Sequence, residues 1–203
     1  MASENHIYKL SNAGGFKTLT RYPDMLAGNT VWSPWSPAGA YDALAVYTVP
    51  SGGVSTVTFA GIPQTYKHLQ IRMIARYNGT GGVQQFPMTF NNDSSAIYDD
   101  HVLRGNGSSA TSGYDLSGTA IYAERLPTNS NNAGTFGANT IDILDYASTT
   151  KTKVTRTFGG YDDNGSGMIA FCSGMWNSTA AINRIDFPFA FTQNSQFALY
   201  GVK

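Results

Sequence analysis

The chain has 203 residues, of which 41% are hydrophobic and 13% are charged, and its formal net charge at pH 7 is zero. A chain of this length can bury one good core, and all-β sandwiches often reach this size as a single domain. The balanced charge argues against a nucleic-acid partner, because phosphates require a basic patch. Residues 1–6 lack the apolar core of a signal peptide, and no apolar run approaches the roughly 18 residues of a membrane span. We therefore expect a soluble product, made in a cytoplasm and without membrane insertion.

Residues 1–40 differ from the rest of the chain and are predicted to form an extended N-terminal docking arm. Three prolines and two tryptophans in so short a stretch favour an extended segment over a packed element. Aromatic side chains without a core of their own are common anchors at interfaces. We expect Phe16, Tyr22, Trp32 and Trp35 to dock on a neighbouring protein. The alternative is that the two tryptophans cap the sandwich of their own subunit.

Residues 41–203 read as about ten short strands separated by turns, without a domain break. The turn-rich composition, with 22 glycines and much Ser, Thr and Asn, favours β structure over helix. Strands are predicted at residues 44–49, 54–59, 68–77, 86–90, 97–104, 119–126, 140–146, 153–158, 168–176, 182–187 and 196–202. This spacing predicts an all-β fold, an antiparallel two-sheet sandwich of jelly-roll type.

Residues 68–77 carry the clearest pattern in the sequence and are predicted to form a central strand. Leu69, Ile71, Met73, Ala75 and Tyr77 alternate with a polar set that only an isoleucine at position 74 interrupts. Side chains on a strand point to opposite faces in turn, so this segment has one apolar and one polar face.

Two short motifs could indicate a ligand, and both are better explained as turns. Residues 105–110 fit the glycine-rich string of dinucleotide folds, but no helix N-terminus follows to hold a pyrophosphate. Residues 162–167 offer oxygen ligands that calcium would accept, yet the later bidentate acid of a calcium loop is missing. Asp and Asn also favour tight turns. We expect no cofactor and no metal, with calcium at residues 162–166 as the open alternative.

The sequence shows no catalytic motif, so we expect a protein that is not an enzyme. The three histidines are His6, His68 and His101, and the last follows Asp99 and Asp100, the nearest approach to an acid–base pair. Cys172 is the single cysteine and lies in an apolar run, where a buried hydrophobe is expected instead of a nucleophile.

Binding is the remaining class of function. Three polar loops carry side chains of the kind that contact sugar hydroxyls and ring faces, and the alternative is that they are solvated loop tips. The candidate glycan-facing residues are Asn129, Asn131, Asn132, Asp162, Asp163, Asn164 and Trp176.

A resemblance to known proteins is carried by residues 11–22, 25–29, 57–59, 62–72, 104–109, 141–146, 173–176 and 197–202. In these stretches the chain resembles a family of bacteriophage virion structural proteins found in phages of cyanobacteria and other aquatic bacteria. The resemblance implies a non-enzymatic particle component, located in the virion and made in the host cytoplasm. The expected partners are other virion proteins of tail or capsid, copies of the same chain in a homotrimer, and a host surface glycan.

Three functions are compatible with this resemblance. The first is a short tail fibre or tail-tip component whose arm docks and whose loops contact host glycans. The second is a capsid decoration protein that stabilises the phage head. The third is a tail-associated glycan hydrolase, which would need a pair of carboxylates facing one groove.

Overall fold

The computed structural model describes residues 40–82 and 84–203, which form an all-β domain of two antiparallel sheets. Phe16, Tyr22, Trp32 and Trp35 of the predicted arm lie outside the described residues, and the arm and the domain boundary at residue 40 stay predictions. A search of the described residues for a helix long and apolar enough to span a membrane found none.

Twelve strands are present within the described ranges, against the ten or so that the sequence predicts. They are β1 (Tyr41–Thr48), β2 (Val57–Ala60), β3 (His68–Ala75), β4 (Gln84–Phe90), β5 (Tyr98–Gly105), β6 (Ala110–Gly118), β7 (Ile121–Leu126), β8 (Gly137–Leu144), β9 (Lys153–Asp162), β10 (Gly167–Trp176), β11 (Arg184–Phe187) and β12 (Gln196–Val202).

The two sheets differ in size. The large sheet has eight strands in the order β1-β12-β3-β8-β9-β10-β5-β6, and the small sheet has four in the order β2-β11-β4-β7. All neighbouring strands run antiparallel. The predicted two-sheet antiparallel sandwich is therefore confirmed. The finer jelly-roll assignment, which describes eight strands in two Greek keys, is not confirmed by this division into eight and four.

The core lies between the inner faces of the two sheets. Strand β3, the predicted central strand, contributes Leu69, Ile71, Met73 and Ala75, all at most 3% exposed. It lies inside the large sheet between β12 and β8, as its alternating pattern predicts. Aromatic side chains of the small sheet and its flanking loops pack opposite, among them Phe86, Phe90, Phe187 and Phe191.

The prediction that residues 168–176 form a buried strand is wrong for the outer side of β10, where Ile169, Phe171 and Ser173 are exposed. Ala170 and Cys172 point into the core, but Ile169 and Phe171 are 55% and 48% exposed. The side chains of a strand alternate, so a strand with apolar residues on both faces buries both only if a second layer covers the outer face. The small sheet covers only the inner face.

Candidate functional site

The side chains on the outer face of the large sheet lie in rows that cross all eight strands. The register places direct cross-strand neighbours in three such rows. The central row is Val46, Ala198, Arg72, Thr140, Phe158, Phe171, Leu103 and Ser112. The groove row is Thr48, Gln196, Ile74, Ala138, Gly160, Ile169, Gly105 and Ala110. The polar row is Ala43, Tyr200, Gln70, Asp142, Arg156, Ser173, His101 and Tyr114.

Six large apolar side chains of the first two rows are exposed, and together they are called the apolar face here. They are Val46 (70% exposed), Ile74 (52%), Leu103 (58%), Phe158 (55%), Ile169 (55%) and Phe171 (48%). Phe158 and Phe171 are direct partners on β9 and β10, and Leu103 is the partner of Phe171 on β5. Monomeric proteins rarely expose six large apolar side chains side by side on one face, and such a surface usually marks a binding site.

A depression of about 690 Å³ lies beside this aromatic pair. It forms because the groove row has small residues, Ala138 and Gly160, between the large Ile74 and Ile169. The glycine is required there, since a Cβ on Gly160 would collide with the carbonyl oxygen of Met168. The apolar face therefore has a ridge, formed by the two phenylalanines, next to a groove.

The charged groups near the apolar face are paired within the chain. The guanidinium of Arg72 lies 5.5 Å from the ring centroid of Tyr41 and 5.3 Å from that of Tyr200. Its Nε donates to Gln70 Oε1 at 2.8 Å, and Gln70 Nε2 donates to Asp142 Oδ1 at 2.8 Å. The apolar face therefore carries one positive charge, that of Arg72, and this charge is stacked on two rings of its own chain.

The predicted glycan-facing loops do come together, but their polar groups bind each other. Asp163 accepts hydrogen bonds from Asn131 Nδ2 at 3.0 Å, from the Asn132 amide at 3.0 Å and from Thr135 Oγ1 at 2.7 Å. The hydrogen bonds from Asn131 and Thr135 hold the pKa of the Asp163 carboxyl below its usual value. The carboxylate has little capacity left for a sugar hydroxyl.

Arg76 fixes the same loop from beneath. Its side chain is buried, although the strand pattern predicts it on the polar outer face. One guanidinium nitrogen donates to the carbonyls of Asn132 at 2.8 Å and Thr135 at 2.9 Å, and the other donates to Asn131 at 3.0 Å. We call this arrangement of Arg76, Asn131, Asn132, Thr135 and Asp163 the loop clamp, and its role is structural.

The remaining predicted loop residues are placed differently. Asn164 and Gly165 have positive φ angles of 53° and 110°, and the Asp163 amide donates to the Ser166 carbonyl at 2.7 Å, which closes the tight hairpin turn expected here. Asp162 accepts from the Asn164 amide at 2.9 Å. Within the described ranges, no cluster of three or more His, Cys, Asp or Glu side chains is arranged to hold a metal ion.

Asn129 and Trp176 are separated from this cluster. Asn129 is exposed, and its side-chain amide lies 3.5 Å from that of Asn78. Trp176 is 2% exposed and donates its indole N–H to Asp93 at 3.0 Å. The prediction that Trp176 faces a glycan is incompatible with this position in the core.

The acid–base candidates point to opposite sides of the large sheet. Asp100 is buried on the inner face, accepts from the Tyr122 amide at 3.0 Å, and has its pKa raised by burial. His101 lies on the outer face beside Tyr114, with a ring-centroid distance of 5.9 Å. Burial raises the pKa of the Cys172 thiol to about 12. These residues do not converge on one reacting atom, as a catalytic array requires.

Glu124 is a buried carboxylate that sequence reasoning missed. It is 1% exposed, has a φ of 125°, and accepts a hydrogen bond from Arg104 Nε at 3.2 Å. The register of β4 and β7 shifts at this position, so the residue lies in a bulge and its side chain turns inward to the arginine. This buried pair links β5 to β7.

The apolar face was also missed, although two signals for it are present. Ile74 breaks the polar set of β3, and residues 168–172 are apolar in both alternating positions. Comparison with known proteins found no match: no family model, no curated protein and no solved structure matches the chain.

Proposed function

We propose that this protein is a non-enzymatic structural subunit of a larger protein assembly, and that the apolar face is its docking surface. The observation that carries this proposal is the exposure of six large apolar side chains on one face of a well-packed sandwich. Burying such surface against a partner is favourable by about 25 cal/mol per Å² of apolar area. A face that offers this much apolar area is expected to be covered when the protein functions.

The proposal that the larger assembly is a phage particle comes from the sequence resemblance to phage virion structural proteins. Within that class, a capsid decoration protein needs a face that packs on other proteins, which the apolar face supplies. A tail-tip component that contacts glycans needs free polar groups on its loops, but those of Asn131, Asn132 and Asp163 are engaged in the loop clamp. We therefore rank head decoration ahead of host attachment, and both ahead of glycan hydrolysis.

Immunogold labelling of purified phage particles tests this function. An antibody against residues 41–203 is expected to label particles from a lysate that expresses this chain. Quantitative mass spectrometry of the same particles is expected to give hundreds of copies per particle for a head protein and tens for a tail protein. Recovery of the chain only in the soluble fraction, with unlabelled particles, would contradict the proposal.

A pair of variants tests whether the apolar face does the docking. Phe158→Asp places a charge in the centre of the face and should reduce incorporation into particles. Ala60→Asp is the matched control, because it adds the same charge to an exposed position of the small sheet. Equal incorporation of both variants would show that docking uses another surface.

A further inference from the structure

We infer that the partner on the apolar face is a second copy of this chain, packed outer face against outer face about a twofold axis. The inference deepens the proposed function and rests on it, since it names a second copy of the chain as the occupant of the docking surface. Three observations favour this occupant: the size of the face, its charge and its relief.

The first observation is size. Eight strands, each about 4.8 Å wide, cover about 38 Å, and three rows, each about 6.8 Å wide, cover about 20 Å along the strands. The three rows therefore occupy about 780 Å² in each copy, close to the roughly 800 Å² per partner that a stable interface of standard size buries. The outer face is large enough to form such an interface without help from another surface.

The second observation is charge. Arg72 is the single charged residue among the members of the central and groove rows, and its guanidinium stacks on Tyr41 and Tyr200 of its own chain. Depletion of charge and enrichment of aromatic residues are the composition of an interface centre. The charges nearest to this centre, Asp142 and Arg156 in the polar row, have opposite signs and lie 3.9 Å apart. With a formal net charge of zero, two copies do not repel each other at long range.

The third observation is relief. The ridge formed by Phe158 and Phe171 lies next to the groove between Ile74 and Ile169. Under a twofold axis, the ridge of one copy can enter the groove of the other, and the same contact is made twice. One face that matches itself closes with two copies, whereas a trimer needs two different surfaces on each copy. A face that matches itself therefore favours a dimer over the trimer expected from the sequence.

Sedimentation equilibrium of the full-length chain tests the inference. At micromolar concentration, the wild-type chain is expected at twice the 21.8 kDa mass of one chain. Phe158→Asp should weaken dimerisation by about 30-fold or more, since a charge buried at an interface centre disrupts a hot spot. Phe171→Asp should act in the same way from the neighbouring strand, and Ala60→Asp should sediment as the wild type does. Far-UV circular dichroism and the unfolding midpoint establish that each variant is folded.

Three results would overturn the inference: a wild-type chain that stays monomeric at high micromolar concentration, a dimer that both phenylalanine variants leave intact, or a stable trimer. The result of sedimentation is independent of the result of particle labelling. A monomer that still labels particles would retain the proposed function without the twofold contact. A dimer that never labels particles would retain the contact without the function.

Discussion

Replacement of Arg76 by alanine tests whether the predicted glycan loop is a structural clamp. The substitution removes three hydrogen bonds from a charged donor to the carbonyls of Asn131, Asn132 and Thr135. Each such bond contributes about 1.5–3 kcal/mol net, but the contributions are not additive, and carbonyls near the surface regain water. We therefore expect the free energy of unfolding to fall by about 2–4 kcal/mol.

Urea denaturation followed by circular dichroism measures this change. Arg72→Ala is the matched control, since it removes the same residue type four positions earlier in the chain, where the side chain is exposed in a single copy. Both variants are measured in the Phe158→Asp background, which leaves the outer face uncovered. Arg72 loses a hydrogen bond to Gln70 and cation–π contacts with Tyr41 and Tyr200, each worth about 0.5–1 kcal/mol at an exposed site. Limited proteolysis should also cut residues 128–135 faster in Arg76→Ala than in the wild type. Equal destabilisation by the two variants, with no change in proteolysis, would refute the clamp.

Three further predictions concern the core and the titratable groups. In the Phe158→Asp background, which leaves the outer face uncovered, Ile71→Ala should cost about 2–5 kcal/mol in urea denaturation through lost burial and a cavity. In the same background, Ile74→Ala on the outer side of the strand should cost less than about 1 kcal/mol, and equal costs would contradict the assignment of the two faces. The hydrogen bonds to Asp163 lower its folded-state pKa below the ordinary 3.8, so their stabilisation is fully present above that value and is lost as the pH falls through the folded pKa. The unfolding midpoint between about pH 5 and about pH 2 should therefore fall more steeply in the wild type than in Asp163→Asn, and parallel curves would contradict this. The Cys172 thiol, with its pKa raised to about 12, should react with a thiol reagent in the native protein only as fast as the domain unfolds, and rapid labelling of the folded protein would contradict its burial.

Local patterns in the sequence predict much of the fold. The alternation of residues 68–77 identifies an interior strand and the apolar side chains that enter the core. Proline in a sheet is confined to edges and bulges, and the register of β4 and β7 shifts immediately before Pro87. Asn164 and Gly165 predict a tight turn, and both have positive φ angles. Each of these features depends on residues that are close in the sequence.

The candidate site depends on distant residues, and this is why the sequence did not predict it. Alternation shows which side chains of a strand share a face, but not whether a second sheet covers that face. Ile169 and Phe171 read as buried because both faces of their strand are apolar, and their exposure follows from the division into eight and four strands. The polar loops were misread for a similar reason, since the partner of Asn131 and Asn132 is Asp163, which follows two strands later in the chain.

The most direct test of the central claim is whether the apolar face is covered in the assembled protein. Hydroxyl-radical footprinting of the full-length chain, compared with the Phe158→Asp variant and with purified particles, measures the solvent access of each side chain. If the apolar face is covered, Phe171 and Ile169 are protected in the wild-type assembly and reactive in the variant, while Tyr122 on the small sheet is modified equally in both. Equal modification of Phe171 and Ile169 in every sample would show that the apolar face stays open to solvent and is not a docking surface.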